Sequence, residues 1–106
     1  MAVSIQQTGE VMSAYLSGEL DHHSAKEMRE AIDNALDLIM PTLLIIDFSG
    51  VDFMDSSGIG LVMGRYRKLA KSGAELHITG TSAQIYKVMK LAGIERLARL
   101  EKGDKQ

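Results

Sequence analysis

The sequence contains no cysteine and no tryptophan, and few aromatic residues of any kind. Without cysteine the chain has no disulfide framework, no thiolate metal ligand and no cysteine nucleophile. Because aromatic residues make up 5% of the chain, we do not expect a platform on which bases or sugars stack. The 12 basic and 14 acidic residues give a formal net charge of −2, so no nucleic-acid partner is expected.

Long hydrophobic runs are also missing. The most apolar stretch, residues 36–46, is interrupted by Asp37, Pro41 and Thr42, whereas a helix that spans a bilayer needs about 20 apolar residues. Residues 1–7 have neither the basic region nor the apolar region of a signal peptide. We therefore expect a cytoplasmic protein without a membrane partner.

Several segments show the apolar pattern of β-strands. The first two alternate apolar and polar residues on either side of Gly9, which predicts an antiparallel hairpin. Leu43 to Ile46 are apolar at every position, which predicts a central strand covered on both faces by helices. The predicted strands are residues 3–5, 11–16, 43–46 and 75–79, and residues 96–100 fit either an edge strand or a helical turn.

Three further segments show the apolar spacing of helices. The first is predicted to begin at a Ser-x-x-Glu capping box formed by Ser24 and Glu27. The second covers residues 57–72, and the third begins at a capping box of Thr81 with Gln84. The order β-β-α-β-α-β-α predicts an α/β fold with crossover connections.

The length of 106 residues suits one domain. We place this domain at residues 1–100 and expect a polar tail at residues 101–106. The domain is expected to contain a mixed central sheet of four to five strands, flanked by three or four helices.

Residues 47–60 concentrate the reactive groups of the chain, with three carboxylates and three hydroxyls between Asp47 and Ser57. The segment follows the predicted central strand, at the edge where ligands and partners meet an open α/β sheet. A serine hydrolase of the nucleophile-elbow type needs glycine two residues before its serine, and Met54 and Asp55 occupy those positions. No histidine can be assigned as its base from spacing, so we do not expect an enzyme.

Glycines follow these serines at Gly58, Gly60 and Gly64. Their spacing is one residue too long for a dinucleotide-binding loop. The interval of four residues between Gly60 and Gly64 instead predicts that the second helix approaches its sheet closely there.

Two other groups of side chains could in principle form sites. The three histidines lack the spacing of a metal site, so no metal and no cofactor are expected. The basic residues near the end of the second predicted helix indicate a solvated face rather than a nucleic-acid patch. These two sets are His22, His23 and His77, and Arg65, Arg67, Lys68 and Lys71.

Ser56 and Ser57 stand at the start of the second predicted helix, where two interpretations remain open. In the first, Asp55 or one of the serines simply caps the helix. In the second, a serine is phosphorylated, and the positive end of the helix dipole stabilises the added charge by roughly 0.3–1 kcal/mol. The fold would tolerate such a phosphate, whereas an acidic partner docked at this edge would be repelled.

Two stretches of the sequence carry a resemblance to a known family. They are Gly-Glu-Leu-Asp-His-His-Ser-Ala at residues 18–25 and Asp-Ser-Ser-Gly-Ile-Gly-Leu-Val-Met-Gly-Arg-Tyr at residues 55–66. With them the chain resembles the anti-sigma factor antagonists of the STAS domain family, and the similarity covers nearly its whole length. A single STAS-like α/β domain is the fold that this resemblance implies.

The resemblance implies a binding switch in transcription regulation, such as that of sporulation, and not a catalyst. The unphosphorylated domain binds an anti-sigma factor that is also a serine kinase, and so releases the sigma factor. Phosphorylation of Ser56 ends binding until a PP2C-type phosphatase restores it. The implied partner-binding residues are Asp21, Asp55, Ser56, Ser57 and Gly58. The alternative within the family is a scaffold or transport-accessory subunit.

Overall fold

The computed structural model describes residues 3–103, which form one five-stranded sheet and three α-helices. Strand β1 is antiparallel to β2, and the remaining strands are parallel, in the spatial order β1-β2-β3-β4-β5. The predicted α/β class, the mixed sheet and the number of helices are confirmed. The elements are β1 Val3–Thr8, β2 Val11–Leu20, α1 His22–Leu38, β3 Leu43–Met54, α2 Ser56–Ala70, β4 Glu75–Thr81, α3 Ala83–Leu91, a 3-10 turn Ile94–Arg96 and β5 Arg99–Lys102.

The predicted N-terminal hairpin is present. Thr8 pairs with Val11, so the loop between the strands contains only Gly9 and Glu10. Gly9 has φ of +62°, a left-handed conformation that residues with a Cβ rarely adopt. The glycine therefore sets the tight reversal that makes β1 antiparallel to β2.

Strand β3 is central, as predicted, but helices cover only one of its faces. Ala14, Ile46 and Ile78 are neighbours across β2, β3 and β4, and all three are 0% exposed. They share one hydrophobic core with buried residues of all three helices. On the opposite face Ile45 and His77 remain partly exposed. The prediction of a strand covered on both faces is wrong, because Leu43 and Ile45 are only half-buried.

The start of α1 differs from the predicted capping box. The cap is Asp21, whose side chain accepts a hydrogen bond from the Ser24 backbone N–H, while the Ser24 hydroxyl accepts one from the Asp21 N–H. Ser24 thus lies inside the helix, and its predicted pairing with Glu27 as a cap is wrong. The helix ends at Leu38, before Pro41 as predicted.

The start of α3 also shifts by one residue from the prediction. Ser82 caps this helix through the Ile85 N–H, rather than Thr81. Thr81 is the last residue of β4, and its hydroxyl donates to the Glu101 carbonyl at 3.0 Å. It is buried in the sheet and unavailable as a cap.

The last described residues form a strand rather than a tail. Residues 101 and 102 belong to β5, and the Gly103 N–H donates to the Thr81 carbonyl at 2.8 Å. The expected tail at 101–106 therefore does not begin at residue 101, and its residues 104–106 lie outside the described part of the chain. Between residues 3 and 103, no helix is long and apolar enough to cross a bilayer.

Helices α1 and α2 lie side by side with their N-termini at the same edge of the sheet. Arg65 on α2 pairs with Asp33 on α1 at 2.8 Å, and one turn further Lys68 pairs with Asp37 at 2.7 Å. Arg65 is 6% exposed, so the prediction that it belongs to a solvated basic face is wrong. Asp33 neutralises the guanidinium, which allows an arginine to lie within this interface.

Gly60 and Gly64 of α2 do not lie against the sheet. A Cβ atom built on Gly60 or on Gly64 would meet no other atom within 4 Å. The prediction that these glycines permit a close approach to the sheet is wrong. Leu61, Val62 and Arg65 are the residues of this segment that turn inward.

Candidate functional site

Parallel pairing of β2 with β3 brings the two resembling stretches together. Leu20 is the register partner of Met54, the last residue of β3. The Asp55 N–H continues the ladder by donating to the Leu20 carbonyl at 3.2 Å. Asp21 and Asp55 therefore follow neighbouring strands at one edge of the sheet, and each caps a helix that starts there. The two stretches, residues 18–25 and 55–66, are therefore neighbours in the fold although they are far apart in the sequence.

Asp21 is held in place by the first turn of α1. One carboxylate oxygen accepts the Ser24 N–H at 2.9 Å, and the Ser24 hydroxyl lies 3.1 Å from the same oxygen. These hydrogen bonds lower the pKa of Asp21 below its ordinary value, and the bond from the Ser24 backbone N–H has the largest effect. The Ser24 hydroxyl is also 2.6 Å from the Glu19 carbonyl, which connects the cap to the end of β2. The site therefore contains a carboxylate that is fixed and ionised at neutral pH.

Asp55 plays the same part at α2. Its carboxylate accepts the Ser57 N–H at 2.8 Å, and its carbonyl accepts the Gly58 N–H at 3.0 Å. Of the three residues considered as caps, Asp55 takes the role. Ser56 is the first residue of the helix and is exposed, whereas Ser57 is partly buried.

Gly58 lies in the first turn of α2 and packs against Met54 at the end of β3. It is buried, and a Cβ atom at this position would lie 2.4 Å from both Cγ and Sδ of Met54. Real Cβ contacts are not that short, so a larger residue would displace the Met54 side chain. The glycine thereby allows the end of β3 to pack against the first turn of α2 behind Ser56.

The edge around Ser56 is acidic and partly apolar. Glu19 and Asp52 are exposed there, in addition to the two capping aspartates. Phe53, the register partner of Glu19, is 52% exposed, and aromatic residues are enriched in protein–protein interfaces. The arrangement presents an accessible hydroxyl at a helix N-terminus within a surface to which a protein could bind.

The histidines do not assemble into a site. His77 lies in β4 on the face without helices, 3.6 Å from Glu75, whereas His22 and His23 begin α1. In the range 3–103 no group of three or more His, Asp or Glu residues is arranged to hold a metal ion.

One surface beside the serines was not foreseen from the sequence. A groove of about 340 Å³ runs between α1 and α2 and is lined by Ser57, Gly60 and Leu61 on one side. Its other side is formed by α1. The four lining residues there are His22, Ala25, Lys26 and Arg29. His22, Lys26 and Arg29 are spaced i, i+4 and i+7, and this spacing is the sequence signal that could have predicted their common face on α1.

Comparison with known proteins gives consistent matches. The family model described as the STAS domain matches residues 2–103. The anti-sigma F factor antagonist of Lysinibacillus sphaericus is 37% identical over 87 residues, covering 82% of this chain and 74% of that protein.

Solved structures of SpoIIAA also match. The anti-sigma factor antagonist SpoIIAA in its unphosphorylated form superposes with a TM-score of 0.81 at 33% identity, over 93% of this chain and 87% of that one. The Bacillus cell fate determinant SpoIIAA in its phosphorylated form gives a TM-score of 0.75 at 33% identity, over 93% and 90% of the two chains. The chain belongs to the STAS domain family.

Proposed function

We propose that this protein is an anti-sigma factor antagonist whose binding is switched off by phosphorylation of Ser56. In its unphosphorylated form it binds an anti-sigma factor that is also a serine kinase, and the sigma factor is released. The observation that carries the proposal is the exposed Ser56 hydroxyl at the first position of α2. The similarity to SpoIIAA, a protein solved in unphosphorylated and phosphorylated forms, supports it.

The position of Ser56 explains why a phosphate would not unfold the domain. The hydroxyl is exposed, so a phosphate displaces no core residue. The helix dipole favours negative charge at this end by roughly 0.3–1 kcal/mol, which offsets repulsion from the carboxylate of Asp55.

The same phosphate would act strongly on a docked partner. It adds a dianion to an edge that already carries Glu19, Asp52 and Asp55. Negative groups of the partner would meet this charge at close range, and a loss of about 4 kcal/mol converts a nanomolar complex into a micromolar one. The switch therefore changes the surface rather than the fold.

The remaining components belong to other proteins in this scheme. The kinase and its ATP site are on the anti-sigma factor, and a PP2C-type phosphatase removes the phosphate. The cycle runs in the cytoplasm and regulates transcription, such as that of sporulation. Asp21 is proposed as a partner-contacting carboxylate, because it lies at the same edge as Ser56.

The test incubates the purified protein with the anti-sigma factor encoded in the same genome and ATP, then maps the phosphate by mass spectrometry. We expect modification of Ser56 in the wild type and in Ser57→Ala, and none in Ser56→Ala. Phosphate on Ser57 instead, with an active kinase, would contradict the assignment.

Binding is measured in parallel by titration calorimetry. Ser56→Ala should bind like the unphosphorylated wild type, and Ser56→Asp should bind at least about tenfold more weakly. Both variants should melt close to the wild type. Equal affinity of the two variants would refute the charge mechanism.

A further inference from the structure

The groove between α1 and α2, lined by Ser57, Gly60 and Leu61 on α2 and by His22, Ala25, Lys26 and Arg29 on α1, begins at the phosphorylatable edge. It is open where Gly60 contributes no side chain. Further along, the two ion pairs Arg65–Asp33 and Lys68–Asp37 bridge the helices. The helices thus leave a cleft at their N-terminal halves and close it at their C-terminal halves.

The α1 side of the groove is basic. Lys26 and Arg29 are exposed. Within residues 3–103, neither of them forms an ion pair with a carboxylate at 4.0 Å or less. The buried guanidinium of Arg65 lies nearby. Burial lowers its pKa, Asp33 opposes that effect, and the positive charge of Arg29 lowers the pKa further. The described residues that line the groove include Lys26 and Arg29 and no carboxylate. The groove therefore has positive charge without a matching number of carboxylates.

The α2 side of the groove is free of bulk. A Cβ atom on Gly60 would meet no atom within 4 Å, and the same holds for Gly64 one turn further. A side chain or backbone of another molecule can therefore approach the axis of α2 closely. Leu61 supplies apolar surface at the base of the cleft.

We infer that this groove binds an acidic segment of the anti-sigma factor, with Lys26 and Arg29 pairing with its carboxylates. The inference rests on the proposed function and extends it by naming the chemistry of the partner. Unpaired cations beside an uncrowded helix face are complementary to a segment rich in Asp or Glu.

Contact at this groove also explains how the switch would act. Ser57 lines the groove and the exposed Ser56 is its neighbour in the chain, so a phosphate on Ser56 would lie close to the groove without being part of its lining. The phosphate repels the partner's carboxylates and competes with them for Lys26 and Arg29. A partner without acidic groups would not be sensitive to the charge in this way.

Charge reversal tests the pairing. Lys26→Glu and Arg29→Glu should each weaken binding of the anti-sigma factor about tenfold or more at about 50 mM salt, and less at about 500 mM salt. Lys87→Glu and Lys90→Glu are the matched controls, because these exposed lysines lie on α3 and line a different cleft. The controls should change the affinity by no more than about twofold.

A steric probe tests occupancy of the groove without changing charge. Gly60→Leu places a side chain into the cleft, and Gly60→Ala adds only a Cβ atom for which there is space. We expect Gly60→Leu to lose most binding while its melting temperature stays at or above that of the wild type. Gly60→Ala should retain more binding than Gly60→Leu.

The outcomes separate the groove from the switch. If the wild type binds and is phosphorylated on Ser56, but the reversals and Gly60→Leu bind equally well, the groove inference is wrong and the proposed function stands. If the wild type neither binds nor is phosphorylated, both fail. If the free protein is a dimer that Lys26→Glu and Arg29→Glu dissociate, the groove binds a second copy instead, which overturns the inference.

Discussion

The three glycines of α2 should not respond alike to replacement by alanine: Gly58→Ala should destabilise the protein, whereas Gly60→Ala and Gly64→Ala should stabilise it. Gly60 and Gly64 have open space at the Cβ position, whereas a Cβ on Gly58 would lie 2.4 Å from two atoms of Met54. All three have ordinary helical backbone, since none is among the glycines with positive φ. The backbone therefore admits alanine at each position, and only the surroundings differ.

The magnitudes follow from that difference. Replacing a mid-helix glycine by alanine stabilises a protein by about 0.5–1 kcal/mol, because less backbone entropy is lost on folding. We expect this gain for Gly60→Ala and for Gly64→Ala. At Gly58 the displaced Met54 adds an overpacking cost of about 1–3 kcal/mol, so the net effect is a destabilisation of up to about 2 kcal/mol.

Urea unfolding followed by circular dichroism measures these free energies, since a domain of this size is expected to unfold in two states. A change of 1 kcal/mol should shift the melting temperature by about 4–8 °C. Met54→Ala should relieve the cost of Gly58→Ala in the double variant. The reasoning is refuted if Gly58→Ala stabilises as much as Gly60→Ala, or if Gly60→Ala destabilises.

Two further predictions concern α1. Asp33→Ala should lower the free energy of unfolding by about 3 kcal/mol, because it leaves Arg65 buried without its carboxylate. Adding Arg65→Met should restore most of that loss. Additive effects of the two substitutions in urea unfolding would contradict this. The pKa of Asp21 is lowered in the fold, so its cap contributes stability at neutral pH that is lost as the pH falls below about 4. Asp21→Asn should therefore show a shallower acid loss of stability than Asp52→Asn, and equal slopes would count against it.

The sequence pattern alone does not determine the residue at which helix α1 begins. Ser24 and Glu27 match a capping box, but Asp21 with Ser24 matches the same chemistry three residues earlier. Local spacing favours neither. The choice is made by pairing between strands, because Leu20 is held in β2 opposite Met54 and the chain leaves the sheet at Asp21.

Strand β3 illustrates the same limit for burial. A run of four apolar residues at 43–46 is compatible with coverage on one face or on two, and it predicted the central position but not the open face. Residues 47–54 mix polar and apolar residues without regular alternation and are not predicted as a strand, yet they continue β3 because they pair with Tyr15 to Leu20 of β2. That extension is what carries Asp55 to Asp21, so the proximity of the candidate site residues depends on pairing that local sequence does not report.

The orientation of α2 about its axis buries Arg65, a residue type that usually lies at the surface. Arg65 turns inward to Asp33, and Leu61 and Leu69 of the same helix are buried as well. Gly60 and Gly64 are then turned away from the sheet, and Ser57 and Gly60 face the groove. The Arg65–Asp33 ion pair and the groove both lie between α1 and α2. We expect Arg65→Met with Asp33→Ala to fold in urea unfolding and to change the affinity for the anti-sigma factor in titration calorimetry, because the groove loses one of the two ion pairs that close its far end; an unchanged affinity would contradict this.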